Sequence, residues 1–477
     1  MPNGVLGFRS AFSSVRGSFP VFGIVCYTVS GFIWNHRVFF FSDISILDIS
    51  TMKRSGYPIL LSSLPMAWHM KSCVTYLAAI LWNIVLIPYL LIPNTSYAGG
   101  LEYETHSIKI ANAEYQYRIL KGYSLDLVDD ALAGPRMITR ISNGDLLIGS
   151  KSGNVYHLNP PYTKPDILMK LHDYPHSVAV RDQYIFIART DGLYRANLNC
   201  SEQKCSADKL ELYAKLPGGR GHTSRTVKID KNGHIYISLG ISSNCSNEYL
   251  DASYPFEKRR GGIAVLDETQ HPPVWKPYAA GLRNPVGYDW NPVNGLIYSS
   301  NNGPDHLGYE NPREYFSEIR PGSFHGMPWF QMVDGKIVRD RCIQSTPPRP
   351  RRDVEIPVAT FPARNAPMGV RFISKDFADE RLRNNAIVAL HGSWGTKPDG
   401  GSSGQPFTRR PPKLVMVRFE RGKVVDVVDF LTGFQQKSGI RWARPVDIVQ
   451  TDEQHLYFTS DGGIPGLYGL RYGGPAH

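Results

Sequence analysis

The chain has 477 residues and a formal charge of +11, with 42% hydrophobic, 12% aromatic and 20% charged residues, enough to bury a large core. Plentiful Tyr, Gly and Pro, with few long apolar repeats at helical spacing, point to an all-β protein and away from a helical bundle. Lys and Arg are scattered, and their two tight clusters, 349–352 and 409–410, sit among prolines as solvated loops, which argues against nucleic acid as a partner.

In chain order, residues 1–69 carry no readable fold; the apolar run 19–34 is short and rich in Gly and Ser for a membrane segment. Met70-Lys71-Ser72, the mostly apolar stretch 74–92 and Asn94-Thr95-Ser96-Tyr97-Ala98 then make a signal peptide over 70–98, cleaved after Ala98. An uncleaved anchor is the alternative, but Asn83 and Pro88 interrupt the stretch, and Ser96 and Ala98 fit the cleavage pattern. Export signals act from the true N-terminus, so the expectation is a start at Met52, Met66 or Met70, with 1–69 an unassigned leader and start-site artefact. The mature chain, 99–477, is then exported, periplasmic and without stable membrane insertion.

Within 99–477 one module returns six times: a Pro, Arg or His, a short apolar alternation, a polar turn, then β-branched and aromatic residues. It starts at Pro135-Arg136, Pro175-His176, Ser224-Arg225, 281–287, Pro367-Met368 and Pro445-Val446. Six small sheets, each with two apolar faces, cover one another only when packed radially, which predicts a six-bladed β-propeller. The strand opening each module then lies nearest the axis. Its first residues, Arg136, His176, the 222–225 stretch, Arg283 and Asn284, Asn365 and Arg444, line one mouth as a basic funnel. Residues 114–120 or 124–128, ahead of the first module, are the two candidates for the last strand of the sixth blade. Of the four cysteines in the mature chain, Cys200 and Cys205 flank a tight polar loop and are the expected disulfide; no Cys/His pair follows that would make a zinc site.

Residues 281–287 read Gly-Leu-Arg-Asn-Pro-Val-Gly, and 300–304 read Ser-Asn-Asn-Gly-Pro, with a predicted β-hairpin between them. Antiparallel pairing puts the two segments at one end of the sheet. A cation, an amide and free carbonyls on one rim suit an anionic, metal-bridged ligand.

These residues, with Asn302-Gly303-Pro304-Asp305-His306-Leu307-Gly308, Ala366-Pro367-Met368-Gly369, Ala389-Leu390-His391-Gly392-Ser393-Trp394 and Arg444-Pro445 with Ser460-Asp461-Gly462-Gly463, give the chain from about 122 to 472 a resemblance to a known family. It resembles the glucose/sorbosone dehydrogenases, soluble six-bladed propellers that bind pyrroloquinoline quinone (PQQ), and looks closest to their sorbosone-dehydrogenase-like branch. The resemblance implies an oxidoreductase that oxidises an aldose or sorbosone-like sugar with PQQ and Ca2+ and passes electrons to a cytochrome or small quinone. It carries the catalytic base to His222, the Arg-Asn pair to Arg283 and Asn284, and the two calcium-binding carbonyls to Gly303 and Pro304. Arg444, Arg225, Arg136 and Lys375 are candidates for the PQQ carboxylates. Trp394 and His391 are substrate candidates, Trp394 being equally readable as core, and His176 reads as structural.

Three departures stand out: Asn301 and Asn302 occupy places that are acidic in related sequences, and the downstream carboxylates reduce to Glu314 and Glu318. The branch's Cys-rich loop shrinks to Ser243-Asn244-Cys245-Ser246. The alternatives are a non-catalytic binding propeller, favoured by those lost acids, and a calcium-dependent propeller lactonase, opposed by the basic axial residues.

Overall fold

The computed structural model describes residues 100–201 and 204–473, and the backbone of one strand pair, Val29–Trp34 with Arg37–Ser42. The expected signal peptide lies outside the described residues. Contacts divide the chain into Met1–Tyr97 and Ala98–His477.

The second unit is a six-bladed β-propeller, as the repeats predict. The innermost strands of blades one to six are Pro135–Arg140, Ser177–Arg181, Val227–Ile229, Tyr288–Trp290, Pro367–Phe372 and Ala443–Gln450. Each pairs antiparallel with the next strand in sequence, so the six modules are the inner hairpins of six sheets.

Period-2 alternation explains why the sheets pack around an axis. In blade two, Ile185 and Ile187 face blade one, whereas Phe186 and Ala188 face blade three. In blade five, Ala386 and Val388 face blade four, whereas Ile387 and Ala389 face blade six. Among the described residues there is one apolar cluster in each of the six gaps. Neither face of any blade is left to water, so the radial arrangement follows from burying both faces.

Around the axis the inner strands are tied by a closed circuit of hydrogen bonds. Met137 N donates to His176 O at 3.3 Å, Val227 N to Ser177 Oγ at 2.7 Å, and Tyr288 OH to Thr226 O at 3.2 Å. Phe372 N donates to Asp289 Oδ2 at 2.9 Å, Arg371 Nε to Ile448 O at 3.3 Å, and Ile138 N to Asp447 Oδ2 at 3.1 Å, which returns to blade one. Gly369 lets blades five and six close in, since a Cβ there would lie 2.0 Å from Asp447 Oδ1.

The ring is shut by the N-terminal part of the unit. Tyr123–Asp129 is the fourth strand of blade six, paired antiparallel with Gly466–Tyr472, so of the two candidates it is 124–128 that closes the ring. The other candidate, in Ala113–Leu120, instead extends blade five, followed outward by Tyr103–Ile110. Cys200 and Cys205 form the expected disulfide, and a second joins Cys245 to Cys342.

Candidate active site

Blade four sets the frame of the site. Its inner hairpin pairs Tyr288 with Ser299, so the entering segment 281–287 and the leaving segment 302–304 meet at one end; Asn302 N donates to Asn284 O at 3.2 Å. Long connections at that end, 240–261 in blade three and 302–313 in blade four, bring further polar groups over the axis.

His222 lies in the loop before blade three's inner strand. Its Nδ1 meets the carbonyl of Ile241; a carbonyl only accepts, so Nδ1 carries the hydrogen and Nε2 keeps its lone pair. No partner binds Nε2 among the described residues. The His222 carbonyl takes Arg225 Nη1 at 2.8 Å and Arg260 Nη2 at 3.0 Å, which pin the loop from behind. Burial, and then the neighbouring Arg283 cation, lower the imidazole to about 3. It is therefore neutral at ordinary pH, with a lone pair to offer.

Gly240 sits between His222 and Asn284: a Cβ there would lie 2.5 Å from His222 Cβ and 2.6 Å from Asn284 Oδ1. The close approach of the two side chains requires glycine. The Asn284 amide makes no hydrogen bond of its own among the described residues, while its backbone N–H is fixed by Asn301 Oδ1 at 2.9 Å.

Arg283 is 5% exposed. Asn244 Oδ1 accepts from its Nε at 3.0 Å and its Nη2 at 2.6 Å, Asn302 O from its Nη1 at 3.3 Å, and Asp305 Oδ2 pairs with Nη2 at 3.2 Å. Burial depresses its proton affinity and Asp305 partly restores it. Arg364, itself buried, holds Asp305 from the other side, with Nη1 at 3.3 Å from Oδ1.

Gly303 and Pro304 are both buried, yet among the described residues neither carbonyl accepts a hydrogen bond. Unpaired buried carbonyls in sequence are the donor set a hard cation takes up. The Gly303 N–H donates to Glu314 Oε2, and burial pushes that carboxyl up to about 7. Glu314 thus places a buried acid beneath this loop, where the sequence reads Asn301 and Asn302. Asn301 serves the backbone instead, fully buried and holding the N–H of Asn284.

A second cluster faces this one from blades one, five and six. Asp461 binds Arg136 Nη1 at 2.6 Å, Lys151 Nζ at 2.7 Å and His391 Nε2 at 2.5 Å. Arg444 Nη2 donates to His391 Nδ1 at 2.8 Å and its Nε to His391 O at 3.1 Å. Both ring nitrogens of His391 are thereby used, with Nε2–H turned to Asp461, and burial holds the ring near 4. His391 orients Arg444 and is not free to meet a substrate, which corrects its sequence assignment. Arg444 keeps Nη1 without a partner among the described residues.

Two of the basic candidates are also corrected. Arg225 is fully buried and binds the carbonyls of His222, Ser224 and, at 3.2 Å, Pro217, so it supports the His222 loop and does not reach the mouth. Arg136 stays at the mouth, 4% exposed, and its Nη1 pairs with Asp461 much as Arg283 pairs with Asp305. Lys375 is exposed and follows the far end of Pro367–Phe372; the inner strand carries the chain to the opposite mouth before the lysine arrives. Trp394 is 55% exposed, which removes its core alternative. His176 is structural: Nδ1 donates to Arg225 O at 3.1 Å. The mouth is also less basic than expected, because Asp305, Glu314 and Asp461 are set among the cations.

Asn244, Arg260 and Arg364 escape sequence reasoning. Their partners are 39, 38 and 59 residues away, and no local spacing encodes such contacts. Asp305 and Asp461 fall inside the sequence motifs, but only the fold gives them partners. Among the described residues, the two groups of His, Cys, Asp and Glu close enough for a metal each include disulfide sulfur, so neither offers a thiolate.

Residues 117–323 match the TrAA12-like family model. An uncharacterized protein of Borreliella burgdorferi is 25% identical over 374 residues, covering 75% of this chain and 92% of that one. Among solved structures, the holo PQQ domain of pyranose dehydrogenase from Coprinopsis cinerea matches with a TM-score of 0.60 and 20% identity, over 75% of this chain and 97% of the other. The calcium structure of the Trichoderma reesei family AA12 enzyme gives 0.61 and 18%, over 74% and 96%. The soluble aldose sugar dehydrogenase of Escherichia coli, in its apo form, gives 0.53 and 14%, over 73% and 99%. Over residues 117–323 the chain is similar to the TrAA12-like family, and its fold is the six-bladed propeller that the motif resemblance implies.

Proposed function

We propose that this protein is a PQQ-dependent oxidoreductase that oxidises an aldose or a sorbosone-like sugar. The observation that carries this is the meeting, at one mouth of the axis, of a histidine with a free Nε2, a buried guanidinium and two successive unpaired carbonyls. The relatives named for PQQ, calcium and sugar dehydrogenase activity support the same conclusion.

The residues fit Ca2+ and PQQ. Gly303 and Pro304 would hold Ca2+ through their carbonyls, and Arg283, Asn284 and Arg444 would receive the carboxylates and carbonyls of PQQ. When bound, PQQ supplies the acceptor for the hydride that leaves the sugar carbon, and Ca2+ polarises that acceptor. The protein's own part is placement and proton transfer. His222 Nε2 takes the hydroxyl proton, while the Ile241 carbonyl keeps the opposite nitrogen protonated and fixes the ring plane. The low proton affinity of His222 comes first from burial and then from the Arg283 cation; a further anion beside Arg283 would offset part of that cation and raise the basicity of the imidazole. Trp394, exposed in the loop that follows His391, offers an aromatic face to a sugar ring.

Export to an oxidising compartment, through a signal peptide over 70–98, is part of this proposal. Two disulfides support it, since such bonds persist outside the cytosol. Electrons would pass on to a cytochrome or a small quinone.

The test is dye reduction by residues 99–477 with PQQ, Ca2+ and a panel of aldoses. Turnover is expected, and His222→Ala should lower kcat by about 10²- to 10⁴-fold while PQQ still binds. Lactone opening without quinone, or quinone-independent sugar binding alone, would contradict it.

A further inference from the structure

Arg283 is held partly by its own blade, through Asn302 O and Asp305, and partly from blade three. Its guanidinium nitrogens reach Asn244 Oδ1 at 2.6 Å and 3.0 Å, and that same oxygen also accepts the backbone N–H of Asp305 at 3.3 Å. One amide oxygen therefore fixes both members of the Arg283–Asp305 ion pair. Asn244 sits in a connection of blade three that contains no regular strand, so something must hold it in turn.

Two anchors flank it. On one side, buried Glu248 gathers Ser242 Oγ at 3.0 Å and Ser246 Oγ at 2.8 Å. On the other, Cys245 is joined to Cys342, 97 residues later, in a separate connection. The Cys342 N–H donates to Asp340 Oδ1 at 3.0 Å, and His306 Nε2 meets the same buried carboxylate at 3.0 Å. His306 is the residue after Asp305. The path thus runs from Arg283 through Asn244, the disulfide, Asp340 and His306 to Asp305, and back to Arg283.

We propose that Asn244 is the positioning residue for Arg283, and that the Cys245–Cys342 disulfide is the brace that keeps it there, so that breaking this one bond lets the guanidinium and the 302–308 loop drift out of register. The proposal rests on the function proposed above for its catalytic consequence, but not for its structural one. The Cys200–Cys205 bond has no such role: it closes a hairpin at the outer part of blade two, between strands Gly192–Cys200 and Cys205–Ala207.

The test compares Asn244→Ala with Asn244→Asp, which keeps an oxygen acceptor, in the PQQ- and Ca2+-loaded protein and by hydrogen exchange without either. Asn244→Ala should lower kcat about 10- to 100-fold with sugar KM within about threefold, because a charge-assisted contact at the reacting end is lost. Amide exchange over 302–308 should rise about tenfold. Asn244→Asp should restore both to within about threefold. Reduction with dithiothreitol should reproduce Asn244→Ala, and equally so in Cys200→Ser/Cys205→Ser, which before reduction should match the unmodified chain. Unchanged exchange and turnover in Asn244→Ala, failure of Asn244→Asp to rescue, or indifference to reduction would overturn the proposal. If the unmodified chain turns over no sugar, the proposed function fails, and the exchange experiment still judges the brace.

Discussion

Gly240 governs how close His222 and Asn284 come, because a methyl group there would sit 2.5 Å and 2.6 Å from atoms of the two side chains. Neither can retreat freely: the His222 ring is tied to Ile241 and the Asn284 backbone to Asn301. Gly240→Ala should therefore cost about 1–3 kcal/mol of stability by overpacking. It should also cost far more activity than stability, measured as kcat beside a denaturant midpoint. Full turnover in that variant would mean the two groups do not work together. That Arg283, Asn284, Gly303 and Pro304 share one end of blade four was legible in strand direction, whereas the roles given to His222, Gly303 and Pro304 rested on the family resemblance. The places of Arg225 and Lys375 were not legible. Carbonyls of the 217–224 loop lack ladder partners and draw the Arg225 guanidinium inward, and one inner strand carries Lys375 to the far mouth.

At the scale of the element, closure of the ring by Tyr123–Asp129 is the most exposed point of the architecture. That strand joins the beginning of the propeller to its end, Leu467 to Asp129 and Tyr472 to Tyr123. Leu125 is 4% exposed and packs in the cluster shared by blades five and six. Leu125→Ala should cost about 2–5 kcal/mol in chemical unfolding. Ile440→Ala, at a position 63% exposed, should change stability by no more than about 0.5 kcal/mol. Equal effects would mean the closing strand carries no special weight. Sequence pattern alone left two strands competing for this place. Both alternate, and the choice is made by which one reaches Gly466–Tyr472, a pairing more than 300 residues distant that no local signal records.

Over the whole molecule, burial of neutral histidines sets the response to acid. Burial, the largest cause in each case, lowers His222 to about 3, His325 and His391 to about 4, and His176 well below its ordinary value of 6.5. Unfolded, these rings take up protons as pH falls through 6.5; folded, His325 and His391 do so only near 4 and His222 near 3, and His176 too is held well below its ordinary value. The unfolded state then binds more protons, and stability falls with pH across that window. Glu314, raised to about 7, and Asp447 and Asp129, also raised by burial, act the other way, holding protons in the fold. Four histidines against three carboxyls, of which only Glu314 is raised as far as about 7, predict a lower denaturant midpoint at pH 5 than at pH 7.5; an equal or higher one would contradict the buried, neutral rings. The six blades themselves were legible throughout, because each module alternates on both faces and leaves radial packing as the way to cover them.

For the proposed chemistry, one mouth of the axis must bind a tricarboxylate quinone through a cation and Arg283. Equilibrium titration of residues 99–477 with PQQ, with and without Ca2+, tests this most directly. The expected result is one site per chain that needs Ca2+ and that Arg283→Ala weakens at least tenfold. Binding indifferent to both Ca2+ and Arg283, or no binding at all, would contradict it.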